Sequence, residues 1–446
     1  MNKISLNPID FHIKPSYDIP GSKSIANRVL LLAAINNNCS NIYNIPTVSE
    51  DVALMLNALI NLGVKFEAIK SQSISKTAVN YYVIGTNGIF PVKKLSIVCG
   101  NSGITLRFLT AILAIIDDDV EYTLIGEERL YERPIIDMII VLQQLGANIT
   151  YLGKHGHAPL MIKKYQPNRQ INTIYINAAQ SSQMLSAMLI ILPILFHRYG
   201  QKISVTTGHN IVSKPYINMT IKLLKLFNVN IDIKDNEYQF ILDQQNIKAP
   251  TIINYTIETD LSSASYFFAL GAICNKVIIN NIPQLSLQGD IKFLTILQDM
   301  GVNINYQALS NQIQIMPPTD KLRAIDIDAS DTPDIAMTLA IVALFAKGVT
   351  NIYGLQSLQY KESNRIEALC DGLLRLGAKI TNSNSSIQIT PPLTINNNIT
   401  INSYNDHRIA MSFALVVAKG TSININDYNC INKTFSNYFN LLMLKF

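Results

Sequence analysis

The segment VLQQLGANI, residues 141–149, decides the fold because it recurs along the chain. NALINLGVKF (57–66), LLKLFNVNI (223–231), ILQDMGVNI (296–304) and LLRLGAKI (373–380) follow the same plan. A leucine-rich stretch runs into Gly or Asn, and a β-branched or apolar residue follows. The turn residues Gly63, Gly146, Asn228, Gly301 and Gly377 fall 73–83 residues apart. Each reads as a helix stopped by a left-handed residue and followed by a strand; Gly fits that position best and Asn second. YFNLLMLKF (438–446) reads as a sixth such helix, with the chain stopping before its strand.

A second pattern keeps the same register. Six nearly all-apolar segments start near Ser24, Ser102, Ser181, Ser262, Thr332 and Asn405. Each first residue is of an N-cap type, and Pro333 suits the first helical position of the fifth. A helix apolar all round is buried. Each unit of about 75 residues therefore holds one buried helix, one amphipathic helix and several short strands. Six units suggest two domains of three. The boundary is expected in QNIKAPTIINYTIETD (245–260), where the spacing changes.

Composition narrows the class. The chain has 446 residues, 48% apolar and 15% charged, which excludes a disordered protein. The longest apolar runs, 187–196 and 336–346, fall short of the roughly 20 residues of a spanning helix. The opening MNKISLNPIDFHIKPS has no apolar core of a signal peptide. A net charge of +5 without a basic block suits a small anionic ligand better than nucleic acid. The cysteines, 39, 99, 274, 370 and 430, show no CxxC spacing, so neither a disulfide frame nor a zinc site is indicated. A reducing cytoplasm is the expected compartment.

The unusual polar residues gather at the starts of the buried helices, where up to four N–H groups are free and the dipole is positive. PGSKSIANR (20–28) carries Lys23, Ser24 and Arg28. It looks like the end of a P-loop but lacks the first glycine. CGNSGITLRF (99–108) offers Asn101 and Gly103 in a glycine turn, and GEERLYERP (126–134) offers Arg129 and Arg133, with acidic neighbours able to pair with them. QSSQML (180–185) has more polar side chains, Ser181, Ser182 and Gln183, than one cap requires. Ser213 and Tyr216 follow in 211–216, a further polar cluster or a plain loop. Asp334 opens a buried helix in DTPDIAMT (331–338), a position for a general base or a simple favourable charge. QYKESNR (359–365) brings Lys361, Glu362 and Arg365 into one turn, and YNDHRIAM (404–411) sets His407 between Asp406 and Arg408. Together these describe an anion-binding cleft with carboxylates and an imidazole for proton transfer.

PGSKSIANR, CGNSGITLRF, GEERLYERP, SSQ, SKPY, IPQLSLQGD (282–290), TPDIAMT, YKESNR, YNDHRIAM and NKTF (432–435), in this order, resemble the 5-enolpyruvylshikimate-3-phosphate synthase family. The resemblance spans nearly the whole chain. It implies an α/β fold, a two-domain inside-out α/β barrel with three βαβαββ repeats per domain that close like a clam. One domain would be residues 21–258, the other 1–20 with 259–446. It implies transfer of the enolpyruvyl group of phosphoenolpyruvate to the 5-hydroxyl of shikimate 3-phosphate, on the way to chorismate and the aromatic amino acids. It implies no metal or organic cofactor, no nucleic acid or membrane partner, and a monomer.

By the same resemblance, Lys23, Ser24, Arg28, Ser181, Ser182, Gln183, Ser213, Tyr216, Asp334, Ser357 and Lys361 would hold shikimate 3-phosphate. Lys23, Asn101, Gly103, Arg129, Gln183, Arg365, Arg408 and Lys433 would hold phosphoenolpyruvate. Catalysis would fall to Lys23, Asp334, Glu362 and His407. Glu362 would handle the methylene proton, Asp334 the hydroxyl proton, and Lys23 the leaving phosphate. The chain departs from the family pattern at Ile104, Phe108, Ser357 and Asn364. Ile104 and Phe108 flank the Gly103 turn, so weaker binding of the phosphoenolpyruvate mimic glyphosate is expected. Two other readings stay open: the sister transferase acting on UDP-N-acetylglucosamine, and a non-catalytic anion-binding relative.

Overall fold

The computed structural model of the chain describes residues 2–70, 77–116, 118–234, 238–243 and 252–443. Residues 245–251 of the expected boundary stretch and 444–446 of the expected last helix lie outside them. The chain forms two compact units. The central unit is Lys23–Thr47 with Asp51–Ile257; the terminal unit is Met1–Ser22, Val48–Glu50 and Glu258–Phe446.

The repeat is plainest in the middle of the central unit. Strand Lys94–Val98 leads into buried helix Gly103–Leu113, strand Glu121–Ile125, half-buried helix Ile136–Leu145, and the hairpin of Asn148–Tyr151 with Leu160–Lys163. The first two strands pair in parallel, and the hairpin adds antiparallel partners. A parallel pair needs a long crossover, and the buried helix is that crossover. The set Thr173–Tyr175, Ser204–Thr206, Gln239–Leu242 and Ile231–Lys234 repeats this order. So does Ile253–Thr256, Cys39–Pro46, Ala78–Ile84 and Lys65–Ala68, whose first strand comes from the far end of the unit.

In the terminal unit, Asp326–Asp328, Thr350–Tyr353, Ile387–Thr390 and Lys379–Asn382 form one complete copy. The other two borrow from the N-terminus. Tyr17 bridges Ile279 in parallel. Lys3–Leu6 runs antiparallel to Ile423–Asn426, which pairs in parallel with Ile399–Asn402. This sheet has three strands, one of them supplied by residues near the N-terminus.

All five turn residues have positive φ, from 61° at Asn228 to 109° at Gly146. At Gly146 an added Cβ would also stand 1.8 Å from the Gln166 carbonyl oxygen. Each unit carries three buried helices inside and its sheets outside. Every residue of Leu261–Ile273, Ala336–Ala343 and His407–Ala414 is buried. At about 1.5–3 kcal/mol per large apolar side chain, these helices dominate the core. Two of these helices are linked by a hydroxyl pair, Ser265 with Thr338 at 3.0 Å.

The caps differ from the sequence expectation at four starts. Ser102 and Ser181 do accept from backbone N–H groups of their helices. The first helix instead begins at Lys23. The fourth is capped by Asp260 and the sixth by Asp406, not by Ser262 and Asn405. At the fifth, Thr332 makes no side-chain cap. A carboxylate is both a cap acceptor and a favourable charge at the dipole. With Asp260 capping, the Ser262 hydroxyl is left to bond Asp290. Among the described residues, no helix is long and apolar enough to cross a membrane.

Candidate active site

In the central unit the polar residues converge on three buried helix starts. Lys23 opens the first helix, and its Nζ lies 3.0 Å from Asp51 Oδ2. One turn on, Arg28 is buried and ties three helices together. Its Nε donates to Thr220 Oγ1 at 2.8 Å, its Nη1 to the Ser24 carbonyl at 2.9 Å, and its Nη2 to the Tyr216 carbonyl at 3.4 Å. The guanidinium carbon stands 5.2 Å from the Phe108 ring centroid and 6.0 Å from that of Tyr216. Burial pulls its pKa down to about 10, partly offset by Tyr216. None of these partners is a carboxylate, so the cation is held in place while its charge stays unbalanced.

Gln183 and Gly103 meet through Arg107, whose Nη1 donates to Gln183 Oε1 at 2.9 Å and to the Gly103 carbonyl at 3.3 Å. Ser181 caps the helix on which Ser182 is buried. Ser213 adopts φ 55°, and the Tyr216 N–H donates to its carbonyl at 3.0 Å. A serine in the left-handed region is uncommon outside sites that require the turn. Arg129 ion-pairs with the exposed Glu132. Arg133, four residues on, is buried instead. The pairing with acidic neighbours that the sequence allows for both arginines thus holds for Arg129 alone.

In the terminal unit the expected residues form one ion-pair network. Asp334 Oδ1 accepts from Arg365 Nη1, and its Oδ2 from Arg408 Nη2, each at 3.0 Å; Lys361 Nζ is 3.9 Å away. Glu362 takes Arg365 Nη2 at 2.8 Å and faces Lys433 Nζ at 3.7 Å. Arg365 Nε donates to Asp406 Oδ2 at 2.8 Å. Burial opposes the charge of Arg365, but the carboxylates of Asp406, Glu362 and Asp334 outweigh it and raise its pKa. Asp406 also accepts from Ser363 and from the Arg408 N–H. His407 is fully buried, its Nδ1 3.8 Å from Asp406 Oδ1. Ser357 is buried, and its hydroxyl has no hydrogen-bond partner among the described residues.

One further acid stands near this network, Asp290 at the end of IPQLSLQGD. Asp290 is buried and accepts from Ser262 Oγ. Burial, then the Asp334 charge, push its pKa up to about 7, against the pull of Ser262 and Arg408. Glu258, accepting from Ser286, Gln288 and the Leu287 N–H, fastens the turn that delivers it. The signal in the sequence was an acid directly before an amphipathic helix; its burial was not legible there.

The arrangement offers several cations suited to carboxylates and phosphates, with carboxylates among them that can exchange protons. A model of the EPSP synthase (3-phosphoshikimate 1-carboxyvinyltransferase) family matches residues 12–442. The 3-phosphoshikimate 1-carboxyvinyltransferase of Colwellia psychrerythraea is 38% identical over 444 residues, covering 99% of both chains. That of Neisseria meningitidis is 38% identical over 432 residues, covering 96% of this chain and 95% of its own. Among solved structures, EPSP synthase from Acinetobacter baumannii superposes with a TM-score of 0.75 at 22% identity, over 99% of this chain and 97% of that one. The enolpyruvyl transferase NikO from Streptomyces tendae superposes with a TM-score of 0.73 at 13% identity, over 98% and 96%. At these identities the two structures speak for the fold.

Proposed function

The chain belongs to the EPSP synthase family, and from that premise we propose how its side chains carry the reaction. The enzyme transfers the enolpyruvyl group of phosphoenolpyruvate to the 5-hydroxyl of shikimate 3-phosphate and releases phosphate. The single observation that carries the reading at the residue level is the Asp334–Arg365–Glu362 cluster with Arg408 and Lys433. It sets two carboxylates within reach of several cations.

The chemistry assigns the roles. A proton goes to the methylene carbon of phosphoenolpyruvate, C2 becomes electrophilic, and the 5-hydroxyl oxygen bonds to it while losing its own proton. The tetrahedral adduct then loses phosphate, and a proton leaves the new methyl group to restore the double bond. Asp334 takes the hydroxyl proton, and Glu362 handles the proton at the methylene carbon. Arg365, Arg408, Lys433 and Arg129 hold phosphoenolpyruvate with Asn101, Gly103 and Gln183. Arg28, Ser24, Ser181, Ser182, Ser213, Tyr216, Ser357 and Lys361 hold shikimate 3-phosphate. Lys23 neutralises the departing phosphate. His407, fully buried with its Nδ1 3.8 Å from Asp406 Oδ1, is a secondary participant in proton transfer. Arginine and Asp334 exchange partners when substrate anions arrive, since bidentate pairing to a carboxylate or phosphate matches the bonds now made to Asp334. The enzyme works as a monomer in the cytoplasm, without metal or organic cofactor.

The test is phosphate release by the purified protein with phosphoenolpyruvate plus shikimate 3-phosphate. Release with that pair, and not with either alone, supports the reading. Release with UDP-N-acetylglucosamine as acceptor instead would replace it with the sister activity, and no release would reduce the protein to an anion binder.

A further inference from the structure

Arg133 is the least explained charged residue of the central unit. It is 7% exposed, and its Nε and Nη1 are buried without a hydrogen-bond partner among the described residues. Among the described residues it forms no ion pair. Leaving a buried charge in that state is costly, and removal of such charges is often neutral or stabilising. The guanidinium is also aimed at a particular place. An added Cβ on Gly103 would lie 2.7 Å from Arg133 Nη2 and 2.6 Å from Arg107 Nη1. Gly103 is the first residue of the Gly103–Leu113 helix, whose start carries free N–H groups and the positive end of the dipole. Two guanidiniums and a helix N-terminus, all positive, therefore meet at one residue that has no side chain. Mutual repulsion makes this arrangement unfavourable until an anion enters it.

We propose that Arg133 is an anion-binding residue, holding an oxyanion of phosphoenolpyruvate, carboxylate or phosphate, at the N-terminus of the Gly103–Leu113 helix. The substrate named here rests on the proposed function; the anion-binding role does not. Arg129, half-buried and paired with the exposed Glu132, marks the outer edge of the same segment. Arg133 supplies donors that no other group among the described residues uses. The bond formed is a charge-assisted, fork-like hydrogen bond, so lysine at this position replaces it poorly.

The experiment compares Arg133→Met and Arg133→Lys with the parent enzyme. Thermal unfolding is followed without ligand, with inorganic phosphate and with pyruvate. KM is then measured for phosphoenolpyruvate and for shikimate 3-phosphate. The expected result is a ligand-free Tm for Arg133→Met equal to or above that of the parent, with the stabilisation by one of the two anions cut by more than half. Loss in the phosphate arm assigns the phosphate group, and loss in the pyruvate arm the carboxylate. KM for phosphoenolpyruvate rises at least tenfold and KM for shikimate 3-phosphate stays within twofold; Arg133→Lys shows the same pattern more weakly. Unfolding of Arg133→Met, or undiminished stabilisation by both anions, overturns the proposal and makes Arg133 a packing residue. The anion arms use no turnover, so an enzyme inactive with shikimate 3-phosphate would refute the proposed function while leaving this test readable.

Discussion

Replacing Asp290 by Asn turns a feature of the terminal unit into a measurable pH dependence. Asp290 is 3% exposed, and burial with the neighbouring Asp334 charge lifts its pKa from 3.8 to about 7. The other charges facing it are Arg408, which pulls the pKa down, and Asp260, which pushes it up. The folded state therefore resists ionisation of a group that the unfolded chain ionises freely. Below pH 3.8 both states carry the proton and the group costs nothing. As pH rises towards 7 the unfolded state gains, and above that the cost levels off at about 4 kcal/mol, taking ~1.36 kcal/mol per tenfold change in acidity. Roughly 2–3 kcal/mol of it develops between pH 5 and pH 8.

Asparagine keeps an acceptor for the Ser262 hydroxyl and cannot ionise. Its extra N–H group costs about 1–3 kcal/mol if it stays unpaired, but that cost is the same at every pH. The informative quantity is thus the change in the variant-minus-parent difference between pH 5 and pH 8. In a unit of this size 1 kcal/mol moves Tm by roughly 2–4 °C, so the variant should gain about 5–10 °C on the parent between those pH values. Thermal unfolding of both proteins in matched buffers reads it, and titration of all other groups cancels. A difference that is flat with pH, or one that falls as pH rises, would refute the placement of a reluctant carboxyl at this site.

Asp334→Asn should keep the fold, because Arg365 retains Asp406 and Glu362, yet lose about 10²–10⁴ in kcat if Asp334 is the base. Phosphate-release rates beside a circular dichroism spectrum check both parts. Gly146→Ala should destabilise the central unit by more than about 1 kcal/mol, since its φ of 109° and the nearby Gln166 carbonyl leave no room; thermal unfolding decides, and an unchanged midpoint contradicts it. Glyphosate should inhibit phosphate release weakly, and Ile104→Thr should sharpen the inhibition. Equal inhibition of parent and variant would remove Ile104 from that account.

Periodicity carried the fold well because it reports burial, which a helix must satisfy face by face. The buried helices lie where the apolar segments put them, and each of the five stops predicted at Gly or Asn has the positive φ that the reading required. Caps were less legible. Serine, aspartate and asparagine are near equals in propensity, and only the surroundings chose Asp260 over Ser262 and Asp406 over Asn405. The candidate site was legible as clusters at helix starts, but the sequence could not rank residues within a cluster. GEERLYERP contains Arg129 and Arg133 with similar neighbours, and only packing leaves one paired at the surface and the other buried without a partner.

By itself the sequence determined the repeat, the identity of the buried helices, and the residue types gathered at the helix starts, because local spacing and residue type fix these. The tertiary structure alone decided that Lys3–Leu6 pairs with Ile423–Asn426, beside Ile399–Asn402. It alone decided that Asp334 takes both Arg365 and Arg408, and that Asp290 is held close to its titration point at neutral pH. Those outcomes depend on groups far apart in the chain. Pairing and desolvation act through space, and no spacing along the chain records them.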